Sequence, residues 1–159
     1  MSDDVSLEQV EPVITLHIGF LLMPEYTLST FSNAVGILRM ANRLSGRELY
    51  RWSTYTLTGE PVISSSALEI RPDGPLHGAA ELNILVVCGG YNIKRHCTKS
   101  LSDRLRGFAK RKIPLGALCT GTYALAYAGL LDGYRCTIHW ENLASMREEF
   151  PKLQLSSSL

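Results

Sequence analysis

The sequence predicts an α/β fold built on a mostly parallel sheet. Two observations carry that expectation. Ile14–Leu22 and Leu82–Cys88 are almost continuously apolar, as strands buried on both faces must be. Segments with apolar residues at helical spacing alternate with them. At 159 residues the chain is long enough for one domain with a sizeable core.

The elements follow in order. Ile14–Leu22 is the first strand and ends at Pro24. Phe31, Ala34, Val35, Leu38 and Ala41 form one stripe, so about 29–45 is an amphipathic helix that Gly46 stops. Leu49–Thr58 alternates and is rich in Tyr, Trp and Thr, which suits a strand. Ala67–Ile70 is a short strand, and 72–80 is a loop containing Pro and Gly. Leu82–Cys88 is the second buried strand, closed by Gly89 and Gly90. Ser100, with Asp103 three residues on, is the expected cap of a helix whose core face is Leu101, Leu105, Phe108 and Ala109. A strand then leads to Cys119, followed by a helix over Thr122–Ala128 and an exit at Gly129–Gly133. Arg135–His139 reads as a short strand, and Leu143, Met146 and Phe150 as a short helix ended by Pro151. Leu153–Leu159 reads as the start of one more strand, so the chain is expected to be truncated.

Composition narrows the function. Hydrophobic residues make up 45% and charged residues 19%, ordinary for a soluble globular protein. A net charge of +1 indicates neither a nucleic-acid surface nor an acidic partner. No apolar run approaches the roughly 18 residues that span a membrane. Residues 1–12 carry Asp3, Asp4, Glu8 and Glu11 without an apolar core, so they read as a disordered lead rather than a signal peptide. Cys88, Cys97, Cys119 and Cys136 form no C-x-x-C pair and no zinc spacing. No metal or cofactor is expected, and a reduced, cytoplasmic setting is the simplest reading. Cys88, Cys97 and Cys136 are expected to be packing residues. The basic stretch 94–112 is expected to be a solvated face, since no helix-turn-helix pattern accompanies it.

Candidate chemistry centres on Gly116-Ala117-Leu118-Cys119-Thr120-Gly121. A small-residue turn between strand and helix lifts its central side chain above the sheet edge, beside helix-start N–H groups that favour an anion. A thiol there is a candidate nucleophile, an anion sensor or the lining of a pocket. Gly89 and Gly90 end the neighbouring strand. They are either a tight exit turn or a pair of exposed N–H groups able to hold a carboxylate near Cys119 and Thr120. His139 is a structural histidine or a base, and Trp140 is core or an aromatic wall for a cation, a role Tyr91 shares. Cys–His chemistry needs an orienting acid as well. Glu141 lies next in sequence but is expected to point away. Glu25, after the first strand, is the acid expected at the correct edge.

Together Ala117–Gly121, Ala128–Gly133 and Thr137–Glu141 resemble the N-terminal domain of AraC-type (GlxA-like) transcriptional regulators. The sensor of those regulators is a PfpI/ThiJ-like, class I glutamine amidotransferase-like domain. Ile18–Leu22, Leu38–Asn42 and Ser45–Trp52 extend the resemblance, the last two being closest to regulators of glycine betaine and carnitine catabolism. The resemblance implies a flavodoxin-like sandwich over 13–159, incomplete at its C-terminus, and a homodimer. It also implies DNA contact only through a helix-turn-helix domain absent from this chain. It implies a small effector, an amino-acid or quaternary-amine derivative, bound by Gly89, Gly90, Tyr91, Cys119, Thr120, His139 and Trp140. Enzymes of the superfamily place an acid early in the first helix, where this chain has Thr30. Protease-like members have His where Thr120 stands, and related regulators often have Glu where Gly36 stands. The resemblance therefore favours ligand binding over catalysis. The alternatives are a hydrolase or hydratase of PfpI/isocyanide hydratase type using Cys119 with His139 or Glu25, and a redox sensor acting through Cys119 oxidation.

Overall fold

The computed structural model describes residues 14–79 and 81–156; the proposed lead over 1–12 lies outside them. In chain order the elements are β1 (Leu16–Leu22), α1 (Leu28–Ser45), β2 (Tyr50–Thr56), β3 (Val62–Ile63), β4 (Glu69–Ile70) and β5 (Gly74–Pro75). They continue with β6 (Ile84–Cys88), α2 (Ile93–His96), α3 (Lys99–Lys110), β7 (Leu115–Leu118) and α4 (Gly121–Tyr127). The last are β8 (Arg135–Cys136), α5 (Leu143–Glu149) and β9 (Gln154–Leu155). The central sheet runs β5-β2-β1-β6-β7, every pairing parallel. The chain leaves β1 toward β2 on one side and returns to β6 on the other. That reversal opens a crevice at the carboxyl ends of β1 and β6.

Side-chain alternation builds two cores. Phe20 and Leu22 of β1 and Cys88 of β6 face one way and pack with Tyr26 and with Phe31 of α1. Leu21, Leu85 and Val87 face the other way and pack with Leu101, Leu105 and Phe108 of α3 and with α4. A sheet covered on both faces is a three-layer sandwich, and it explains why these strands read as unbroken apolar runs.

Several elements differ from expectation. The cap of α3 is Thr98, whose hydroxyl accepts the Leu101 N–H at 3.2 Å; Ser100 lies inside the first turn. The expected loop over 72–80 supplies an edge strand, β5, pairing with β2 at Tyr55 and Thr56. Pro75 is tolerated there because an edge position needs no second ladder donor. The short strand near Ile70 is half of a hairpin with Val62–Ile63. The strand expected over 135–139 is only Arg135–Cys136, and it pairs in parallel with Gln154–Leu155. Helix α2 was not expected, since four residues are too few to show a period.

Register aligns three strand ends at one edge. Leu22 is opposite Cys88, and Cys88 is opposite Leu118. The exits are then laced by backbone hydrogen bonds: Met23 N–H to Cys88 O at 3.1 Å, Gly89 N–H to Leu118 O at 3.2 Å, and Thr27 N–H to Gly89 O at 3.0 Å. The backbones come so close that side chains are excluded. A Cβ on Gly90 would lie 1.8 Å from Glu25 O, and one on Gly121 would lie 2.1 Å from Val87 O. Both obstacles are backbone, which cannot rotate away. Gly90→Ala is predicted to lose about 3 kcal/mol or more in urea unfolding. Gly36→Ala is the control: nothing lies within 4 Å of its Cβ, and inside α1 the change should gain up to about 1 kcal/mol.

Candidate functional site

The elbow places Cys119 at the carboxyl edge of β7, one residue before the buried Thr120. Cys119 adopts φ 56°, the left-handed region that costs a non-glycine residue about 1–2 kcal/mol. The turn holds because its neighbours are tied down. The Thr120 hydroxyl donates to Gly90 O at 2.7 Å, and the Thr122 hydroxyl donates to Thr137 O at 2.8 Å. The first bond fixes the elbow to the β6 exit; the second fixes α4 to the segment carrying His139.

A cavity of about 680 Å³ opens over the elbow. Thr27, which caps α1, and Ser29 and Thr30 of its first turn contribute to the wall. The β6 exit and α2 contribute Gly90, Tyr91, Asn92, Lys94 and Arg95. Cys119 and Thr120 lie between them, with His139, Glu141 and Asn142 opposite. Among the described residues the hydrogen-bond partner of the Cys119 sulfur is the Thr27 hydroxyl, which donates to it at 3.3 Å. The Thr30 hydroxyl donates to Thr27 O at 2.8 Å. Among the described residues the thiol is therefore bonded by one hydroxyl, that of Thr27 at the cap of α1, and by no carboxylate.

The expected site residues separate into two groups. Gly90, Tyr91, Cys119, Thr120 and His139 share the cavity wall. Gly89 does not join them, because its N–H is committed to Leu118 O; the expected pair of exposed glycine N–H groups is not formed. Trp140 is 76% exposed and off the wall. The cause is the 3₁₀ turn over Trp140–Asn142, which sends His139 and Glu141 to the cavity and the residue between them outward. The same turn brings Glu141 to 3.6 Å from His139 Nδ1, correcting the expectation that Glu141 points away.

Glu25 also departs from expectation. It lies off the wall, accepting the Asn92 side-chain amide at 3.0 Å and standing 3.6 Å from His96 Nε2. Glu25 and Asn92 are both left-handed, with φ 59° and 52°, so the bond joins two tight turns beneath α2. The Asn92 amide, and after it His96, hold the Glu25 carboxyl below its ordinary value. Sequence reasoning missed Thr27, Asn92, Lys94 and Arg95. A hydroxyl just before the first helix could have signalled Thr27; nothing local marks the others. The other cysteines behave as packing residues. Burial pushes the Cys88 thiol up strongly and Cys97 to about 11, and raises Cys136. Among the described residues no group of His, Cys, Asp and Glu could hold a metal, and no helix is long and apolar enough to cross a membrane.

Comparison with known proteins places this arrangement. The sequence model of the DJ-1/PfpI family matches residues 21–152, and the chain belongs to that family. It is 49% identical over 142 residues to the HTH-type transcriptional regulator GbdR of Pseudomonas aeruginosa, the match covering 89% of this chain and 39% of that protein. The chain thus spans about two fifths of the length of that curated relative. The crystal structure of an AraC family transcriptional regulator from Pseudomonas putida superposes with a TM-score of 0.79 at 31% identity, covering 90% of this chain and 77% of that one. The isonitrile hydratase of Pseudomonas putida is 27% identical over 128 residues, covering 80% of this chain and 54% of the enzyme.

The two carboxylates that brace the α2 wall set an acid limit. Glu25 is held low first by Asn92, and Glu149 first by Lys94 and then by Tyr123, both below the ordinary 4.5. Their stabilisation is complete above that ordinary value and is lost as pH falls through the lower folded values. Thermal unfolding followed from about pH 6 down to about pH 3 should show Tm falling at the acid end, and Glu25→Gln with Glu149→Gln should flatten that fall.

Proposed function

We propose that this DJ-1/PfpI domain is the ligand-sensing part of an AraC-type transcriptional regulator, binding a small metabolite in the cavity over Cys119. The observation that carries the reading is the environment of the thiol. The elbow of the family is present, yet its sulfur meets a threonine hydroxyl where a carboxylate would activate it. Likeness to regulators along nine tenths of the chain supports the same reading.

The wall suits a small zwitterion of the amino-acid or quaternary-amine class. Tyr91, 68% exposed, offers an aromatic face, and Glu141 a negative charge, to a cationic group. Arg95 and Asn92 offer donors to a carboxylate. In this reading the domain acts in the cytoplasm as a homodimer, does not turn its ligand over, and contacts DNA through the remaining part of the regulator.

A second reading has its own support. Cys119, His139 and Glu141 line one cavity, with Glu141 positioned to orient the imidazole, so a cysteine-dependent hydrolase or hydratase remains a competing assignment. The relation to isonitrile hydratase points the same way.

One set of measurements separates the two. Glycine betaine, carnitine and arginine, each screened at millimolar concentration, should raise Tm for at least one compound, and Cys119→Ser should keep that rise. Incubation with an isonitrile or a simple amide should give no turnover. Absence of any Tm rise, together with turnover lost in Cys119→Ser, would reverse the assignment.

A further inference from the structure

The cavity wall contains one cation whose charge is already engaged from outside. Lys94 lines the cavity, and its ammonium pairs with Glu149 of α5, which does not line it. The second oxygen of Glu149 accepts the Tyr123 hydroxyl of α4 at 2.5 Å. Lys94 Nζ also lies 5.6 Å from the centre of the Tyr123 ring, and Phe150 meets that ring edge-on at 5.3 Å. Glu149 is thus held from two sides and holds Lys94 in turn. The remaining opposed charges on the wall are Arg95 and Glu141.

We propose that Glu149 is a specificity-determining residue that acts through Lys94: by neutralising that ammonium it keeps the cavity balanced for zwitterionic or uncharged ligands and against simple anions. The proposal rests on the cavity being the ligand site, but its consequence, the sign of the local field, can be read without a natural ligand. Lys94 and Tyr123 both hold the Glu149 carboxyl below its ordinary value, so it stays ionised at neutral pH. A unit charge left unpaired on the wall of a partly hydrated cavity changes the rate for an anion reacting within it on the order of threefold.

Cys119 serves as the reporter. The rate of its alkylation by iodoacetate, an anion, is divided by the rate with iodoacetamide, which is neutral, each followed by the mass of the peptide containing Cys119. The ratio cancels changes in thiol reactivity and accessibility common to both reagents. Glu149→Gln should raise the ratio about threefold, Lys94→Gln should lower it, and the double variant should return it to the wild-type value. A ratio unmoved by Glu149→Gln overturns the proposal. Should that variant fail to fold, the comparison is made in the Lys94→Gln background: a double variant equal to Lys94→Gln alone overturns the proposal, and a ratio restored to wild type supports it. A metabolite screen that finds no ligand leaves these ratios unaffected, so failure of the sensing assignment is distinguishable from failure of this one.

Discussion

The structure depends on three strand ends meeting backbone to backbone. Glu25 presses on Gly90, and Val87 presses on Gly121, at distances that leave no room for a Cβ. Gly89 is equally enclosed, by Gly121 N and Thr120. Because β1, β6 and β7 end in register, this contact holds their exits in one rigid junction. The cavity is what the junction leaves uncovered at the point where the sheet reverses its winding order. Hydrophobic burial beneath, with Leu21, Leu85 and Val87 fully enclosed, keeps the strands in place; the glycines let their ends converge.

That junction also accounts for the strained cysteine. A left-handed φ at Cys119 persists only where the surroundings over-determine it. Here Thr120 is bonded to Gly90, and Gly89 to Leu118, so the turn cannot relax without unlacing two strand exits. Such a turn can serve catalysis, but it equally makes a fixed floor for a ligand. What distinguishes the roles is the first helix. The Thr27 hydroxyl bonds the sulfur and the Thr30 hydroxyl bonds the Thr27 carbonyl, so the start of α1 presents hydroxyls rather than a carboxylate beside the thiol.

The parallel sheet and the elbow were legible in the sequence because buried parallel strands are continuous apolar runs, and the small residues of Gly-Ala-Leu-Cys-Thr-Gly mark a tight turn between strand and helix. Gly90, Tyr91, Thr120 and His139 could be placed near Cys119 because strand order put their loops at one edge. The rest depends on information that is not local. Whether Trp140 or Glu141 faces the cavity turns on a single 3₁₀ turn, since one extra residue of rotation exchanges them. Glu25 has the correct edge but the wrong direction, because its left-handed φ sends the carboxylate to Asn92. Lys94 looked like a solvated charge within a basic stretch; only the packing of α5 against α2 and α4 gives it Glu149.

The central claim is that the junction of strand ends forms the ligand site. An amide-resolved NMR titration with zwitterionic probes such as glycine betaine and carnitine tests it most directly. The account predicts shift changes concentrated at Thr27, Gly90, Tyr91, the Cys119–Gly121 elbow and Asn142. Changes centred instead on the apolar groove beside β7, around Ile113, Leu131 and Cys136, would contradict it.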